Sequence, residues 1–359
     1  MENKIKSREI ILIQSDTFSQ FTILFRETFI YLLFLLLPAS FYGCDRMEAP
    51  ELSEPPVASE YISVKTSAAI EGSILSMDIF SFNDDESERL DSYQRFDEGQ
   101  FRNNRYGIGT SAGRKRIIIL ANSPYDRYEW MDINCSKALE KKILDLENED
   151  PEFPLMTADC RIEAGHSFYP QMQALTGEVV LRTLRCDFLE EDYSGEELTD
   201  VRIYLTNVSA SSGIWENVGG CPSRIINSGR LNMEEVNRFQ HPEIIYRSLT
   251  GPVGIKQMDP GVRFRAFASN HHEESIGTPF TKLVIEGKIR GNTYYYPIAV
   301  NRGPGAKDEG FHRNRRYIYD ITITRTGLTD PDGIIQEDIA DIDLVVETWK
   351  EKDWYDVRF

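Results

Sequence analysis

The chain has 359 residues, of which 58 are acidic and 40 are basic, so its formal net charge is −18. This charge argues against a nucleic-acid binder, because neutralising phosphates requires a basic face that no segment supplies. Charged residues make up 27% and apolar residues 41%, which is enough for folded cores and too apolar for a disordered chain. At roughly 100–200 residues per domain, the length predicts two domains after an N-terminal segment.

The first 43 residues have the pattern of an export signal. Thr28–Gly43 is an uncharged apolar run that follows several basic residues. Its length is short for a bilayer core of ~30 Å and suits the apolar region of a signal peptide. Gly43 directly before Cys44 resembles a bacterial lipobox, in which the cysteine thiol is acylated and the cysteine becomes the new N-terminus. We expect a signal peptide over residues 1–43 and lipid on Cys44; a plain transmembrane anchor is the alternative.

Residues 44–60 form an acidic segment that contains prolines and lacks apolar periodicity. This composition predicts an extended tether that holds a folded body away from the membrane. Anionic lipid would repel such an acidic tether and body. Attachment to the outer membrane is therefore expected to depend on the lipid at Cys44.

Beyond residue 60, apolar and polar residues alternate with a period of two. Such alternation of β-branched and aromatic residues with polar ones predicts half-buried strands of antiparallel sheets. The predicted strands are Tyr61–Thr66, Ile74–Phe82, Ile117–Ala121, Val179–Phe188, Val201–Val208, Leu283–Ile289, Thr293–Val300, Tyr317–Thr324 and Ile339–Trp349. The three residues Arg290-Gly291-Asn292 lie between two of these strands and predict a hairpin loop.

Two short helices are predicted among the strands. Ser136 is a suitable cap for a helix over Lys137–Asn148, where apolar residues recur at helical spacing. A second helix over Met233–Phe239 follows Asn232, another good capping residue. Both are expected to cover sheets rather than to carry chemistry.

Many strands and few helices predict an all-β fold of two antiparallel β-sandwich domains in tandem, with a few short covering helices. The strand pattern is interrupted near Pro170 and Gly177. We therefore place the N-terminal sandwich at residues 61–174 and the C-terminal sandwich at residues 175–359.

No local motif predicts a catalytic or metal site. Gly109–Gly113 fits the G-x-S-x-G pattern, but a polar segment precedes it and an apolar strand follows it, which reverses the order that a nucleophile elbow needs. His271–Glu274 holds metal-capable side chains, but neighbours on an extended backbone point to opposite faces. Whether any two of the cysteines are bonded is left open. We expect no enzyme activity, no metal and no cofactor.

The last third of the chain carries a recognisable set of motifs. Three segments make up the set, namely Thr281–Asn301 (TKLVIEGKIRGNTYYYPIAVN), Phe311–Gly333 (FHRNRRYIYDITITRTGLTDPDG) and Val345–Phe359 (VVETWKEKDWYDVRF). These segments resemble the C-terminal domain of the fimbrillins of Bacteroidales, the type V pilins. Earlier strands agree with the family more loosely, so the resemblance spans most of residues 61–359.

The resemblance implies a subunit of a surface fimbrium. Subunits of that family consist of two β-sandwiches and reach the surface as lipoproteins, and a protease then removes the N-terminus with the first strand. The vacated groove takes the C-terminal strand of a neighbouring subunit. In this chain the first strand is then Tyr61–Thr66 and the donor is residues 339–359, with the candidate donor side chains Ile342, Leu344, Val346 and Trp349. An ordinary closing strand of its own domain is the alternative role for this segment.

One departure from the family bears on the position of the subunit in a filament. Stalk subunits are usually cut after an arginine in the loop that follows the first strand, and residues 67–73 contain none. Without cleavage the subunit stays lipidated with its groove filled, as in an anchor at the filament base. Cleavage at another residue, such as Lys65, restores the stalk role. The partners in either case are other fimbrial subunits and, through Cys44, the outer membrane.

A binding module is the second hypothesis, either a tip adhesin or a surface lipoprotein that holds a glycan or protein of a host or bacterium. Its candidate stacking aromatics are Tyr294–Tyr296 and the loop Trp215–Cys221. Tyrosines in a strand are also expected as core residues or cross-strand pairs.

Overall fold

Strands dominate the structure, a computed structural model that describes residues 60–65, 74–97, 100, 105–215, 224–302, 306, 308–333 and 340–348. The helices in these ranges are short, namely α1 (Ser136–Glu140), α2 (Met233–Val236) and 3-10 turns at Leu146–Asn148, Glu191–Tyr193 and Pro242–Ile244. None of the helices in these ranges has the length and apolar character needed to cross a membrane. The prediction of an all-β fold is confirmed.

The strands of the described ranges are numbered in chain order. They are β1 (Glu60–Lys65), β2 (Ser76–Asn83), β3 (Leu90–Asp97), β4 (Arg105–Thr110), β5 (Arg114–Ala121), β6 (Ile143–Asp145), β7 (Met156–Glu163), β8 (Ser167–Phe168), β9 (Gln173–Ala174), β10 (Thr176–Cys186), β11 (Thr199–Thr206), β12 (Val208–Ser209), β13 (Ser211–Gly213), β14 (Ile225–Ile226), β15 (Tyr246–Ser248), β16 (Val262–Phe267), β17 (Lys282–Ile289), β18 (Asn292–Ala299), β19 (Arg315–Ile323) and β20 (Ala340–Thr348).

The strands before residue 175 form two main sheets around one core. The larger sheet has the strand order β3-β2-β5-β7-β9, and the smaller has the order β4-β1-β8. Residues on one face of a strand are two positions apart, so Met77 with Ile79 and Ile117 with Ile119 point the same way. These four side chains join Ile108 of β4 in one buried apolar cluster, which we call the β1-side core.

The strands after residue 175 form a second sandwich. One sheet has the order β16-β10-β19-β20 and the other the order β15-β11-β17-β18. Leu181 and Tyr319 of the first sheet and Ile203 and Leu283 of the second belong to one large buried cluster, which we call the β20-side core. Phe80, on the other face of β2, joins the same cluster. All these strands lie in one compact unit, Ala58–Phe359, and the domain boundary at residues 174–175 stays a prediction.

The strand pairing differs from a purely antiparallel arrangement at two places. β10 runs parallel to β19, and β1 runs parallel to β8. The other strand pairs in the described ranges are antiparallel. A parallel pair at the centre of a sheet requires a long crossover, which local sequence patterns do not specify.

The predicted hairpin between β17 and β18 is present, but its turn has two residues rather than three. Ile289 pairs with Asn292, so only Arg290 and Gly291 lie in the turn. Their φ angles are 50° and 83°. Positive φ at both central residues is typical of a type I′ turn, whose twist suits two hairpin strands.

The predicted helix over Lys137–Asn148 is wrong in length. α1 ends at Glu140, and Ile143–Asp145 forms strand β6 instead. β6 pairs with Ser211–Gly213, which is distant in sequence. Ladder hydrogen bonds to this partner outweigh a modest helical preference, since propensity is a weak influence once tertiary contacts are available.

Of the two predicted helix caps, one is wrong and one is confirmed. Ser136 is not a cap; its hydroxyl donates a hydrogen bond to Oε2 of Glu88 instead. Asn232 caps α2 as predicted, because its Oδ1 accepts a hydrogen bond from the backbone N–H of Glu234 at 3.1 Å. The helix ends at Val236, three residues before the predicted end.

Candidate functional site

β1 is a short strand with partners on both edges. All six of its residues pair with β4, from Glu60 opposite Thr110 to Lys65 opposite Arg105. On the other edge, its C-terminal half pairs in parallel with β8. Removing β1 would therefore open the facing edges of β4 and β8 together, each with unpaired backbone N–H and C=O groups.

The sheet that contains β1 covers apolar side chains of the β1-side core, which we call the apolar floor. Ile108, which is opposite Ile62 in the ladder, is 1% exposed and belongs to the β1-side core. Phe168 of β8 packs against the same core. A gap between β4 and β8 would combine open backbone edges with apolar side chains below them. Both are unfavourable in water, and one inserted strand would relieve both.

β20 is an edge strand in the part of the chain that the structure describes. Its nine residues pair with β19, from Ala340 opposite Ile323 to Thr348 opposite Arg315. The sheet order gives β20 no second neighbour among the described strands. The segment thus serves as a closing strand of its own sandwich, which is the alternative role expected from its sequence.

The candidate donor side chains follow the predicted alternation where their surroundings are described. Ile342 and Leu344 are half-buried against the β20-side core, whereas Val345 is 44% exposed. Val346 pairs through its backbone with Tyr317. The side chain of Val346 lies outside the described part of the structure, as do Trp349 and Cys44. The donor and lipid roles of these residues stay predictions.

Two acidic residues, one in each sandwich, have pKa shifts in opposite directions. Asp78 of β2 is fully buried and accepts hydrogen bonds from the Tyr93 hydroxyl at 2.7 Å and from Nη1 of Arg95 at 3.0 Å. Burial is the largest effect on this carboxyl group and raises its pKa to about 6. Asp320 of β19 is partly exposed, and the hydrogen bond from Arg182 lowers its pKa.

The G-x-S-x-G segment spans the end of β4 and the turn that leads into β5. Ser111 follows β4 and precedes β5, so no helix begins after the serine. Its hydroxyl donates to Oδ1 of Asp91 at 2.7 Å and accepts from Nζ of the buried Lys115 at 2.6 Å. These contacts pair a buried charge and do not form a nucleophile elbow.

The aromatic residues considered for ligand stacking are largely in the core. Tyr296 is fully buried, and its hydroxyl donates to the carbonyl oxygen of Arg325 at 3.1 Å. Trp215 is half-buried against the β20-side core. Residues 216–223, which include the rest of that loop, lie outside the described ranges.

Comparisons with known proteins agree on the architecture. No sequence family model and no curated protein matches the chain. Among solved structures, a fimbrillin from Porphyromonas gingivalis matches with a TM-score of 0.59 and 14% identity, over 82% of this chain and 99% of that one. The chain has the fimbrillin fold. A candidate cell adhesion protein from Bacteroides eggerthii matches with a TM-score of 0.60 and 13% identity, over 81% of this chain and 96% of that one.

A further structure with this fold is a candidate cell adhesion protein from Parabacteroides distasonis. Its TM-score is 0.58 and its identity is 15%, over 81% of this chain and 96% of that one. All three matches span nearly the whole of the solved chains. The fimbrillin fold therefore covers both sandwiches and not only the C-terminal segment with the recognisable motifs.

Sequence reasoning missed the two strands that flank β1 in this fimbrillin fold. β4 has the sequence RYGIGT, in which glycines replace the usual β-branched residues, and β8 has only two residues. A usable signal for β4 was the glycine-rich turn that joins it to the strongly apolar β5. No local signal marks β8, because its pairing is set by the position of β1.

Proposed function

We propose that this chain is a non-catalytic subunit of a surface fimbrium that assembles by strand exchange. The fold it shares with a fimbrillin and with candidate cell adhesion proteins supports this role. The observation that carries the proposal is the position of β1, a short strand near the start of the body that pairs on both edges over an apolar floor. A neighbour's strand running in the direction of β1 would restore both ladders.

The proposed donor is residues 339–359 of the neighbouring subunit. Within its own subunit, β20 pairs along one edge among the described strands. Its release breaks that one ladder, while its insertion between β4 and β8 would form two. Ile342 and Leu344 lie on one face of the strand. They would fill the space between β4 and β8, above Ile108. Val346 continues the same series, and Trp349 is the remaining proposed donor residue.

Export as an outer-membrane lipoprotein through Cys44 completes the proposal. Cleavage after β1 would release the subunit from its lipid and open the space between β4 and β8, giving a stalk unit. Without cleavage, the lipid stays attached and β1 stays in place, giving an anchor at the base. Replacing Cys44 by Ser should release the protein from the outer membrane, and retention of the Cys44→Ser protein there would contradict lipidation at this residue.

Strand exchange is testable with a soluble chain that begins at residue 58 and carries an inserted protease site within residues 67–73. Proteolysis should yield a series of SDS-resistant oligomer bands (a band ladder) on electrophoresis, because strand-exchanged polymers dissociate slowly. The matched control is the same chain without the inserted site, which should stay monomeric. A band ladder that persists after deletion of residues 339–359 would refute the proposed donor.

A further inference from the structure

A cleft of about 630 Å³ lies where the five-stranded sheet meets residues of the second sandwich. Its lining comes from the start of β2, the end of β3, the segment after β5, residues 148–153 and Gln240–His241. This volume is in the usual range for a site that holds a small ligand, roughly 300–1,000 Å³, and such sites often form between domains. The proposed strand exchange assigns no role to this cleft.

Two aromatic residues line the cleft, and one of them is held in place before any ligand arrives. Tyr125 and Phe153 belong to the lining. The ring of Tyr125 packs edge-on against Trp130, with 5.4 Å between ring centroids, and its hydroxyl donates to the carbonyl oxygen of Ile143 at 2.9 Å. A ring fixed from two directions offers apolar surface with little further loss of side-chain entropy on binding.

Arg95 supplies a preorganised donor in the same lining. Its Nε donates to Oδ1 of Asp97 at 2.9 Å, and its Nη1 donates to Oδ2 of Asp78 at 3.0 Å and to the carbonyl oxygen of Tyr125 at 2.6 Å. These acceptors fix the plane of the guanidinium group. Nη2 has no acceptor within the described part of the chain, so its N–H groups are available to a ligand.

Neutral amides add hydrogen-bonding groups of both kinds. Gln240 and Asn148 line the cleft, and Nε2 of Gln240 lies 3.4 Å from Oδ1 of Asn148. That contact is long for a hydrogen bond, so both amides keep capacity to donate and to accept. A polyhydroxylated molecule matches such groups, because each hydroxyl can both donate and accept.

The charge of the lining limits the class of ligand. Asp97, Glu129 and Asp150 contribute three carboxylates, against the guanidinium of Arg95 and the imidazole of His241. A site with this excess of negative charge disfavours carboxylate, sulfate or phosphate groups on the ligand. A basic peptide would suit the carboxylates but not the exposed donors of Arg95 and the two amides.

We propose that this cleft binds a neutral oligosaccharide of about two or three sugar units, a size that its volume can hold. The C–H faces of the sugar rings stack on Tyr125 and Phe153. Its hydroxyl groups bond to Nη2 of Arg95, to the carboxylate of Asp97 and to the amide of Gln240. The subunit thereby binds a glycan at a cleft that both sandwiches line, independently of how the filament assembles.

The test uses the lipid-free chain that begins at residue 45, with maltotriose, mannotriose, xylotriose and lactose as neutral probes. Saturation-transfer NMR identifies which probe binds, and titration calorimetry measures its affinity. We expect Gln240→Ala and Tyr125→Ala each to weaken binding by roughly tenfold. Tyr125→Phe, which keeps the ring, should bind more tightly than Tyr125→Ala. Gln257→Ala, an exposed glutamine outside the lining, is the matched control and should bind as the parent does.

Three results would overturn the glycan site. They are the absence of saturation transfer to every neutral probe, tighter binding of sialyllactose or of a lysine-rich peptide, and affinity that is unchanged in Gln240→Ala. Circular dichroism checks that each variant is folded. Where Tyr125→Ala fails that check, the exposed Gln240→Ala decides the result.

Discussion

β1 and β20 both lie near the ends of the described body, yet they occupy different positions in their sheets. β1 is central, with β4 on one edge and β8 on the other. β20 is peripheral and pairs only with β19 among the described strands. Loss of β1 opens two ladders over the β1-side core, whereas loss of β20 opens one. Position within the sheet, rather than strand composition, therefore decides the proposed roles. Removal of β1 leaves the gap, and β20 of a neighbour is the donor that fills it.

The largest expected effect comes from deleting β1. A chain that begins at residue 74 should lose more than about 4 kcal/mol of unfolding free energy relative to one that begins at residue 58, or should self-associate. The physical reason is that two backbone edges and an apolar floor become exposed together. Guanidinium denaturation measures the difference, and light scattering detects association.

The matched deletion removes β20 from the chain that begins at residue 58. Ending that chain at residue 333 should cost less free energy than deleting β1, because only the edge of β19 is opened. Equal losses of unfolding free energy for the two deletions would show that the two strands are equivalent. The reason for treating β1 as the displaced strand and β20 as the donor would then be gone.

The next effect concerns pH and the buried carboxyl group of Asp78 in the first sandwich. The folded-state pKa of Asp78 is about 6, above its ordinary value of 3.8. The protonated Asp78 carboxyl group therefore contributes fully to stability below pH 4, and this contribution is lost as pH rises through 6. A pKa shift from 3.8 to about 6 corresponds to about 3 kcal/mol of unfolding free energy. Asp78→Asn should remove this part of the pH dependence. Denaturation curves between pH 4 and 8 measure it.

Asp343→Asn on the exposed face of β20 is the control for Asp78→Asn. This substitution should leave the pH dependence of stability between pH 4 and 8 as it is in the parent chain. If both variants changed that dependence by the same amount, the effect would come from overall charge and not from the buried carboxyl group.

A smaller effect distinguishes the two faces of β20. Leu344→Asp places a charge against the β20-side core and should cost about 2 kcal/mol, since Leu344 is half-buried. Val345→Asp, on the exposed face, should change stability by less than about 0.5 kcal/mol. Urea denaturation compares the two variants. Equal costs would contradict the alternation on which the donor assignment depends.

The smallest expected effect is at Asp320 in the sheet of β20. The hydrogen bond from Arg182 lowers the pKa of Asp320, so its contribution is present above pH 4 and is lost as pH falls through the folded-state pKa. Asp320→Asn should cost less than about 1 kcal/mol at pH 7, because the side chain of Arg182 is 48% exposed. A loss larger than that of Leu344→Asp, measured by the same denaturation method, would contradict this ranking.

Alternation in the sequence predicted several strands, but other strands were missed, including β16, in which apolar residues alternate with arginines. β17, β18, β19 and β20 lie within one or two residues of their predicted bounds, because each carries β-branched or aromatic residues at alternate positions. β4 and β8 lack that pattern, and their pairing depends on where β1 lies. Helix α1 was predicted too long, because β6 finds its partner in β13, far along the chain.

The candidate site was predictable only in part. The alternation at Ile342 and Leu344 indicated a strand with one apolar face, and both side chains contact the core as expected. The position of β1 between two partner strands was not predictable. One of the two pairings is parallel, and on the partner side it involves only Ser167–Phe168. The glycan cleft likewise combines segments from both sandwiches, which no local motif connects.

The most direct test of strand exchange is the structure of an assembled filament by electron cryo-microscopy. We expect the strand between β4 and β8 of each subunit to belong to its neighbour and to carry the sequence that begins near Ala340. A filament in which every subunit keeps its own Glu60–Lys65 in that position would contradict this expectation.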